Sequence, residues 1–168
     1  MPAHANPLKP AEEDPGSAYR LHMCELLCSG QDAIVTCDAE LTREGPSYTV
    51  ETLRDLHRAH PDVGWTFIIG ADAARTLPDW RSPAELLELA SLAVAARVDS
   101  SREDVLAAVS RVSGGHGSGR VRFLEMPLAE VSSSQVRERV ARGEPIDELV
   151  GEPVARYISE QRLYRRAA

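Results

Sequence analysis

Residues Gly45 to Trp80 read GPSYTVETLRDLHRAHPDVGWTFIIGADAARTLPDW, and this stretch decides the fold. At its centre, Trp65 to Ile69 is a short apolar run suited to a strand buried on both faces, as the strands of parallel sheets are. The run leaves into Gly70-Ala71-Asp72, and in open α/β sheets ligands collect beyond the carboxyl ends of the strands. Upstream, Gly45-Pro46-Ser47 marks a turn. Thr49 then stands before VETLRDLHRAH, where Val50, Leu53 and Leu56 recur at helical spacing. Thr49 is expected to be the N-cap, with Glu51 and Thr52 in the first turn. Downstream, Leu77-Pro78-Asp79 leads to Trp80 in a loop, where an indole either packs or stacks on a flat aromatic ring. Asp72 either caps a helix or meets the ribose or phosphates of a bound nucleotide.

Outward from this stretch, strand and helix patterns alternate. Met1 to about Ser17 is rich in Pro, Ala, Glu and Asp and reads as an exposed loop. Tyr19 to Ser29 reads as a helix with Leu21, Cys24, Leu27 and Cys28 as its apolar stripe. Ala33 to Leu41 (AIVTCDAEL) is expected to be a strand. Pro83 to Ala90 reads as a short helix, Leu92 to Ala96 as a buried strand and Ser101 to Val112 as an amphipathic helix. SGGHGSG follows as a loop, then Val121 to Met126 as a last strand. Ser134 to Arg142 and Pro153 to Arg162 close the chain as helices. The alternation predicts one α/β domain over residues 1–168, a mostly parallel sheet with helices on both faces.

Hydrophobic residues make up 43% and charged residues 27% of the 168, as in an ordinary globular protein. A net charge of −7 argues against a nucleic-acid partner, which needs a basic face. A small anion is still accessible to a few well-placed backbone amides. No apolar run approaches the roughly 20 residues of a membrane span, and the N-terminus carries no signal-peptide pattern. The three cysteines, Cys24, Cys28 and Cys37, read as reduced thiols of a cytoplasmic protein. Homo-oligomerisation is left open.

Ser132-Ser133-Ser134 leads into the helix that contains Arg137. A helix N-terminus has unpaired amides and a partial positive charge, serines add donors, and an arginine one turn inside can fork onto a phosphate. The alternative is plain capping, since Ser132 and Gln135 stand at capping-box spacing. His57 and His60 share a helix face near its end, where solvated imidazoles complement the dipole. His116 lies in SGGHGSG, which lacks the Lys-Ser/Thr of a P-loop.

Taken in order, GPSYTVETL, FIIGAD, LPDW, SSSQVR and the terminal EPVARYI…LY resemble the bacterial nicotinate-nucleotide adenylyltransferase family. Its members transfer an adenylyl group from ATP to nicotinic acid mononucleotide, giving deamido-NAD and pyrophosphate. The resemblance runs from Met1 to about Tyr164 and implies a Rossmann-like nucleotidyltransferase fold. It implies that Thr49 holds the nicotinate carboxylate and Trp80 stacks on the pyridine ring. Gly70 and Asp72 would lie against the nucleotide, the glycine allowing close backbone approach. Ser132, Ser133, Ser134 and Arg137 match the family's Ile-Ser-Ser-Thr-x-x-Arg ATP site, with departures at Val131 and Ser134. Lys9 matches the lysine that reaches the triphosphate, although Leu8 stands where the family commonly has histidine. Arg97-Val98-Asp99 replaces the usual Arg-Pro-Gly on the adenine side. ATP is a substrate, and Mg²⁺ enters with its phosphates rather than through a protein cage.

Family members open with a strand running into G-x-F-D-P-x-H-x-G-H, whose histidines stabilise charge on the transferring phosphoryl group. None of His4, His22, His57, His60 or His116 stands in such a motif, so the catalytic residues are unassigned. Met1-Pro2-Ala3 aligns with an internal segment after the family's second strand. Roughly 30 to 40 residues, carrying the first strand, first helix and second strand, are therefore expected upstream, by the dimensions of a βαβ unit. Met1 is then an internal methionine. Two other readings stay beside the adenylyltransferase. One is a related transferase, such as a phosphopantetheine adenylyltransferase or a cytidylyltransferase, against which Thr49 and Trp80 speak. The other is an inactive remnant that binds nucleotide or a partner subunit. The DNA upstream of the Met1 codon is expected to encode G-x-F-D-P-x-H-x-G-H in frame; an in-frame stop before any such sequence overturns the expectation.

Overall fold

A computed structural model describes residues 1–4, 14–96, 102–115, 118–125 and 131–165. The chain divides into two compact units, Tyr48–Leu128 and a second made of Met1–Ser47 with Ala129–Ala168.

The Tyr48–Leu128 unit is built on three parallel strands in the order β1 (Trp65–Gly70), β2 (Ala90–Ala96), β3 (Val121–Glu125). Ile69 pairs with Val94 and Gly70 with Ala95 across the first ladder. Around the strands stand α2 (Thr49–Ala59), α3 (Ala71–Arg75), a 3₁₀ turn (Leu77–Asp79), α4 (Pro83–Leu89) and α5 (Arg102–Ser113). The core joins Val50 and Leu53 of α2, Ile69, Leu77, Leu86, Leu92, Val94 and the α5 residues Val105 and Val109. Side chains alternate along a strand, and in β2 Leu92, Ala93 and Val94 are all buried, as expected for a covered parallel strand. β1 departs from the expectation of burial on both faces. Trp65, Phe67 and Ile69 turn inward, while Thr66, Ile68 and Gly70 are exposed, Ile68 by 66%. Unlike β2, β1 has a ladder partner on one side only among the described residues.

The second unit is helical: α1 (Ser17–Cys28), α6 (Ser133–Arg142), α7 (Asp147–Val150) and α8 (Glu152–Glu160). Val136, Ile146, Val154, Ile158 and Leu163 form its core. The expected apolar stripe of α1 is corrected, for Tyr19, Met23 and Leu26 pack on this core and Leu27 is exposed. Both sets fit helical spacing, and contact with α8 selects between them. Residues 33–41 are not a strand. The N–H of Ile34 closes a turn onto the Gln31 carbonyl, and the N–H of Leu41 closes another onto Asp38. Between these turns no ladder forms, and Val35 is 84% exposed. A strand needs a neighbour for its backbone groups. The entering chain is fastened instead by Arg20, whose guanidinium donates to the carbonyls of Ala3 and His4 and pairs with Asp14 at 3.0 Å.

Leu92→Ala is expected to cost about 2–5 kcal/mol in urea unfolding, because it empties a fully buried site. Ile68→Thr is expected to stay within about 0.5 kcal/mol of wild type.

Candidate functional site

Thr49 is the first residue of α2, and Tyr48 occupies the cap position without a side-chain cap bond. The expected N-cap role of Thr49 is thus corrected by one place. Its side chain is half-buried at the helix start, just ahead of the N–H groups of Glu51 and Thr52, which donate to the Tyr48 carbonyl.

Gly70 ends β1 with φ −70°, a backbone any residue adopts, and a Cβ there would meet no atom within 4 Å. Nothing in the described fold requires glycine at this place. What its lack of a side chain provides is open space beside the backbone at the strand exit. Asp72 lies in the first turn of α3, 76% exposed, and accepts from Arg75 Nη2 at 2.8 Å.

Trp80 follows the 3₁₀ turn. Its indole Nε1 donates to Thr76 Oγ1 at 3.1 Å, and its ring meets Phe67 edge-on with centroids 6.2 Å apart. The indole is therefore held by its own turn and by β1. The structure brings the Trp80 turn and the Thr49 helix start together through their sequence neighbours. Arg81 Nη1 pairs with Glu51 Oε1 at 2.9 Å, and its guanidinium lies 4.6 Å from the centre of the Tyr48 ring. A second clasp joins α2 to α4, where Arg54 donates from Nε to Glu85 Oε1 at 2.6 Å and from Nη2 to Glu85 Oε2. The forked hydrogen bond from Arg54 holds the Glu85 carboxyl below the ordinary carboxylate range, against the pull of desolvation and with help from charge attraction.

In the helical unit, Ser132 Oγ accepts the N–H of Gln135 at 3.1 Å, so this serine caps α6 as its spacing predicts. Ser133 and Ser134 occupy the first turn, and Arg137 Nη2 donates to Ser134 Oγ at 3.3 Å. Ser134 and Arg137 line an open hollow of about 890 Å³ together with Arg142, Arg162, Tyr164 and Arg165. Asp14 and Glu138 are the acidic residues of its wall. Burial raises the Tyr164 phenol above its ordinary pKa, partly opposed by the charge of Arg137, so it stays a neutral hydroxyl near pH 7. Arg162 and Tyr164 both hold left-handed backbone, φ 54° and 60°, on either side of buried Leu163. The helix expected to run to Arg162 ends at Glu160, which lets the two side chains reach the hollow.

Lys9, Arg97-Val98-Asp99 and His116 lie outside the described residues. Sequence reasoning missed Arg81, Glu51's pairing with it, Arg162 and Tyr164. Periodicity carries no signal for a contact thirty residues away, or for a left-handed residue that is not glycine. No helix among the described residues is long and apolar enough to cross a membrane.

A cytidylyltransferase-like family model matches residues 3–139. The probable nicotinate-nucleotide adenylyltransferase of Synechococcus sp. strain JA-3-3Ab is 38% identical over 164 residues, covering 98% of this chain and 78% of that protein. That of Symbiobacterium thermophilum is 39% identical over 171 residues, covering 99% and 77%. The chain belongs to the nicotinate-nucleotide adenylyltransferase family. The structure of Plasmodium falciparum nicotinic acid mononucleotide adenylyltransferase complexed with NaAD superposes with a TM-score of 0.70 at 15% identity, covering 96% of this chain and 78% of that one. Its likeness extends to the fold, which is the Rossmann-like nucleotidyltransferase fold of this family: a parallel sheet with helices.

The Arg54–Glu85 clasp generates a pH prediction. A carboxyl whose folded pKa is lowered stabilises the fold fully above its unfolded value of about 4.3, and that stability is lost as pH falls through the lowered value. Glu85→Gln is expected to melt below wild type at pH 7, with the difference closing below about pH 4. A thermal-melting series across pH checks this, and a gap that persists in acid contradicts it.

Proposed function

We propose that this protein is a nicotinate-nucleotide adenylyltransferase of NAD biosynthesis. The 5′-phosphate of nicotinic acid mononucleotide attacks the α-phosphorus of ATP; the bond from that phosphorus to the bridging oxygen breaks, and pyrophosphate leaves with deamido-NAD formed. The observation that carries the reading is kinship over nearly the whole chain with proteins named for this activity. The local geometry supports it.

In this reading the acceptor is recognised by the Tyr48–Leu128 unit. The pyridine ring stacks on Trp80, whose indole is already fixed by Thr76 and Phe67. The nicotinate carboxylate is held at the start of α2 by Thr49, in part through its backbone amide, where the helix dipole favours an anion. A stacked ring and a carboxylate on separate groups suit a pyridine acid better than the flexible arm of phosphopantetheine. ATP is assigned, by the family resemblance, to Gly70 and Asp72 at the β1 exit and to Ser133, Ser134 and Arg137 at the start of α6. Ser132 serves the same segment by capping it, and Lys9 is assigned to the triphosphate by sequence. The arginine-lined hollow beside Ser134 and Arg137 offers forked donors of the kind that take phosphate oxygens. Mg²⁺ comes in as the magnesium complex of ATP, part of the substrate. Cys24, Cys28 and Cys37 are free thiols, which supports a reducing compartment, the cytoplasm.

Trp80→Ala is expected to weaken nicotinic acid mononucleotide about tenfold or more in calorimetry, the loss of one aromatic stack, while ATP changes by less than about twofold. Equal losses for both ligands remove the stacking role. With ATP present, the expected products are deamido-NAD and pyrophosphate. Turnover of phosphopantetheine in place of the mononucleotide overturns the assignment.

A further inference from the structure

Arg81 joins two segments that no backbone ladder connects. It directly follows Trp80, and its guanidinium both pairs with Glu51 and lies over the Tyr48 ring. Tyr48 and Glu51 flank Thr49 on either side of the α2 start. The next residue, Ser82, has φ 46°, a left-handed conformation unusual for a residue with a side chain. It occupies the cap position of α4, so the chain turns sharply just where Arg81 leaves it toward α2. A planar guanidinium can pair along its edge and stack through its face at once, which an ammonium cannot do as well.

Resting on the acceptor reading above, we propose that Arg81 is a positioning residue of that site: it fixes the Trp80 turn against the α2 start, and so sets the separation of stack and carboxylate clamp. Such a device matters because recognition of a small rigid ligand depends on placement to within about 0.5 Å. Trp80 has its own supports on Thr76 and Phe67, and α2 has its own packing through Val50 and Leu53. Both pack on one core, and Arg81 adds a direct polar and cation–π link between them beside Thr49. The Arg54–Glu85 clasp serves as the contrast, a link between α2 and α4 one turn further along α2, whose arginine also feels the Glu51 charge but whose hydrogen bonds go to Glu85.

The test is calorimetry on the full chain with nicotinic acid mononucleotide alone and ATP alone, in wild type, Arg81→Ala, Arg81→Lys and Glu85→Gln. Arg81→Ala is expected to weaken the mononucleotide about tenfold, roughly what an exposed cation–π contact and an exposed ion pair allow together, and ATP by less than about twofold. Arg81→Lys, which keeps the charge but not the plane, is expected to fall between. Glu85→Gln is expected to melt lower yet bind the mononucleotide within about twofold of wild type, which separates positioning from general loosening. Mononucleotide binding by Arg81→Ala equal to wild type overturns the proposal. So does a loss shared equally by Glu85→Gln or by ATP. A wild-type chain that binds ATP but no mononucleotide overturns the acceptor reading itself, a result distinct from failure of Arg81 alone.

Discussion

The middle strand is the constraint on which the Tyr48–Leu128 unit depends. β2 lies between β1 and β3, and Leu92, Ala93 and Val94 are buried in succession. Its pairing sets the register of β1, with Gly70 opposite Ala95. That register decides where the strand ends and therefore where α3, the 3₁₀ turn and Trp80 begin. A slip of one residue would exchange the inward and outward sets. Phe67, which meets Trp80 edge-on, would then face the other way, and Thr66 or Ile68 would take its place. The position of the indole is thus inherited from the β1–β2 ladder.

The parts of this arrangement that were legible in the sequence are the parts set by local pattern. β1, β2, β3, α5 and α6 each carry an apolar run or a helical repeat with a turn or cap beside it, and Ser132 announces its cap through Gln135 three residues on. Where two local patterns compete, sequence cannot choose. In α1, Tyr19, Met23 and Leu26 share one helical spacing, while Leu21, Cys24, Leu27 and Cys28 share another, and only contact with α8 separates them. Residues 33–41 misled for a related reason. Apolar content there is high enough for a strand, but Asp38 closes a turn. Phe67-Ile68-Ile69 is just as apolar and does form a strand, because β2 lies beside it to pair with, which is the one thing the local pattern does not encode.

The candidate site was legible residue by residue but not as an arrangement. Thr49, Gly70, Asp72 and Trp80 stand out in the sequence, and all four fall in one unit. Besides the shared core, what relates Thr49 to Trp80 is carried by Arg81 acting on Tyr48 and Glu51, a link across thirty residues with no periodic signature. The same holds for Arg162 and Tyr164. Their left-handed backbone follows from anchoring Leu163 in the helical core and turning the residues on either side outward. Strain of this kind, about 1 kcal/mol or more per residue, persists only where surrounding packing determines it.

In the proposed reading an acidic protein binds two phosphorylated substrates, and it must do so by local charge. The net charge of −7 opposes the approach of an anion at long range. At physiological salt that opposition fades beyond about 8 Å, the screening length, so the groups lining a site outweigh the sum over the molecule. Around Ser134 and Arg137, Arg142, Arg162 and Arg165 face only Asp14 and Glu138 among the described lining residues, a positive balance within an acidic chain. Lys9 is the one lysine among the 19 basic residues; the rest are arginine. Arginine keeps its charge at every relevant pH and presents a plane of donors that fits both carboxylate and phosphate. The same side chain that forks onto Glu85 in the Arg54 clasp, and lies over the Tyr48 ring in Arg81, is the one suited to phosphate in the hollow. In the proposed reading, affinity then comes from forked, short-range contacts rather than from electrostatic steering, which an acidic surface does not offer an anion.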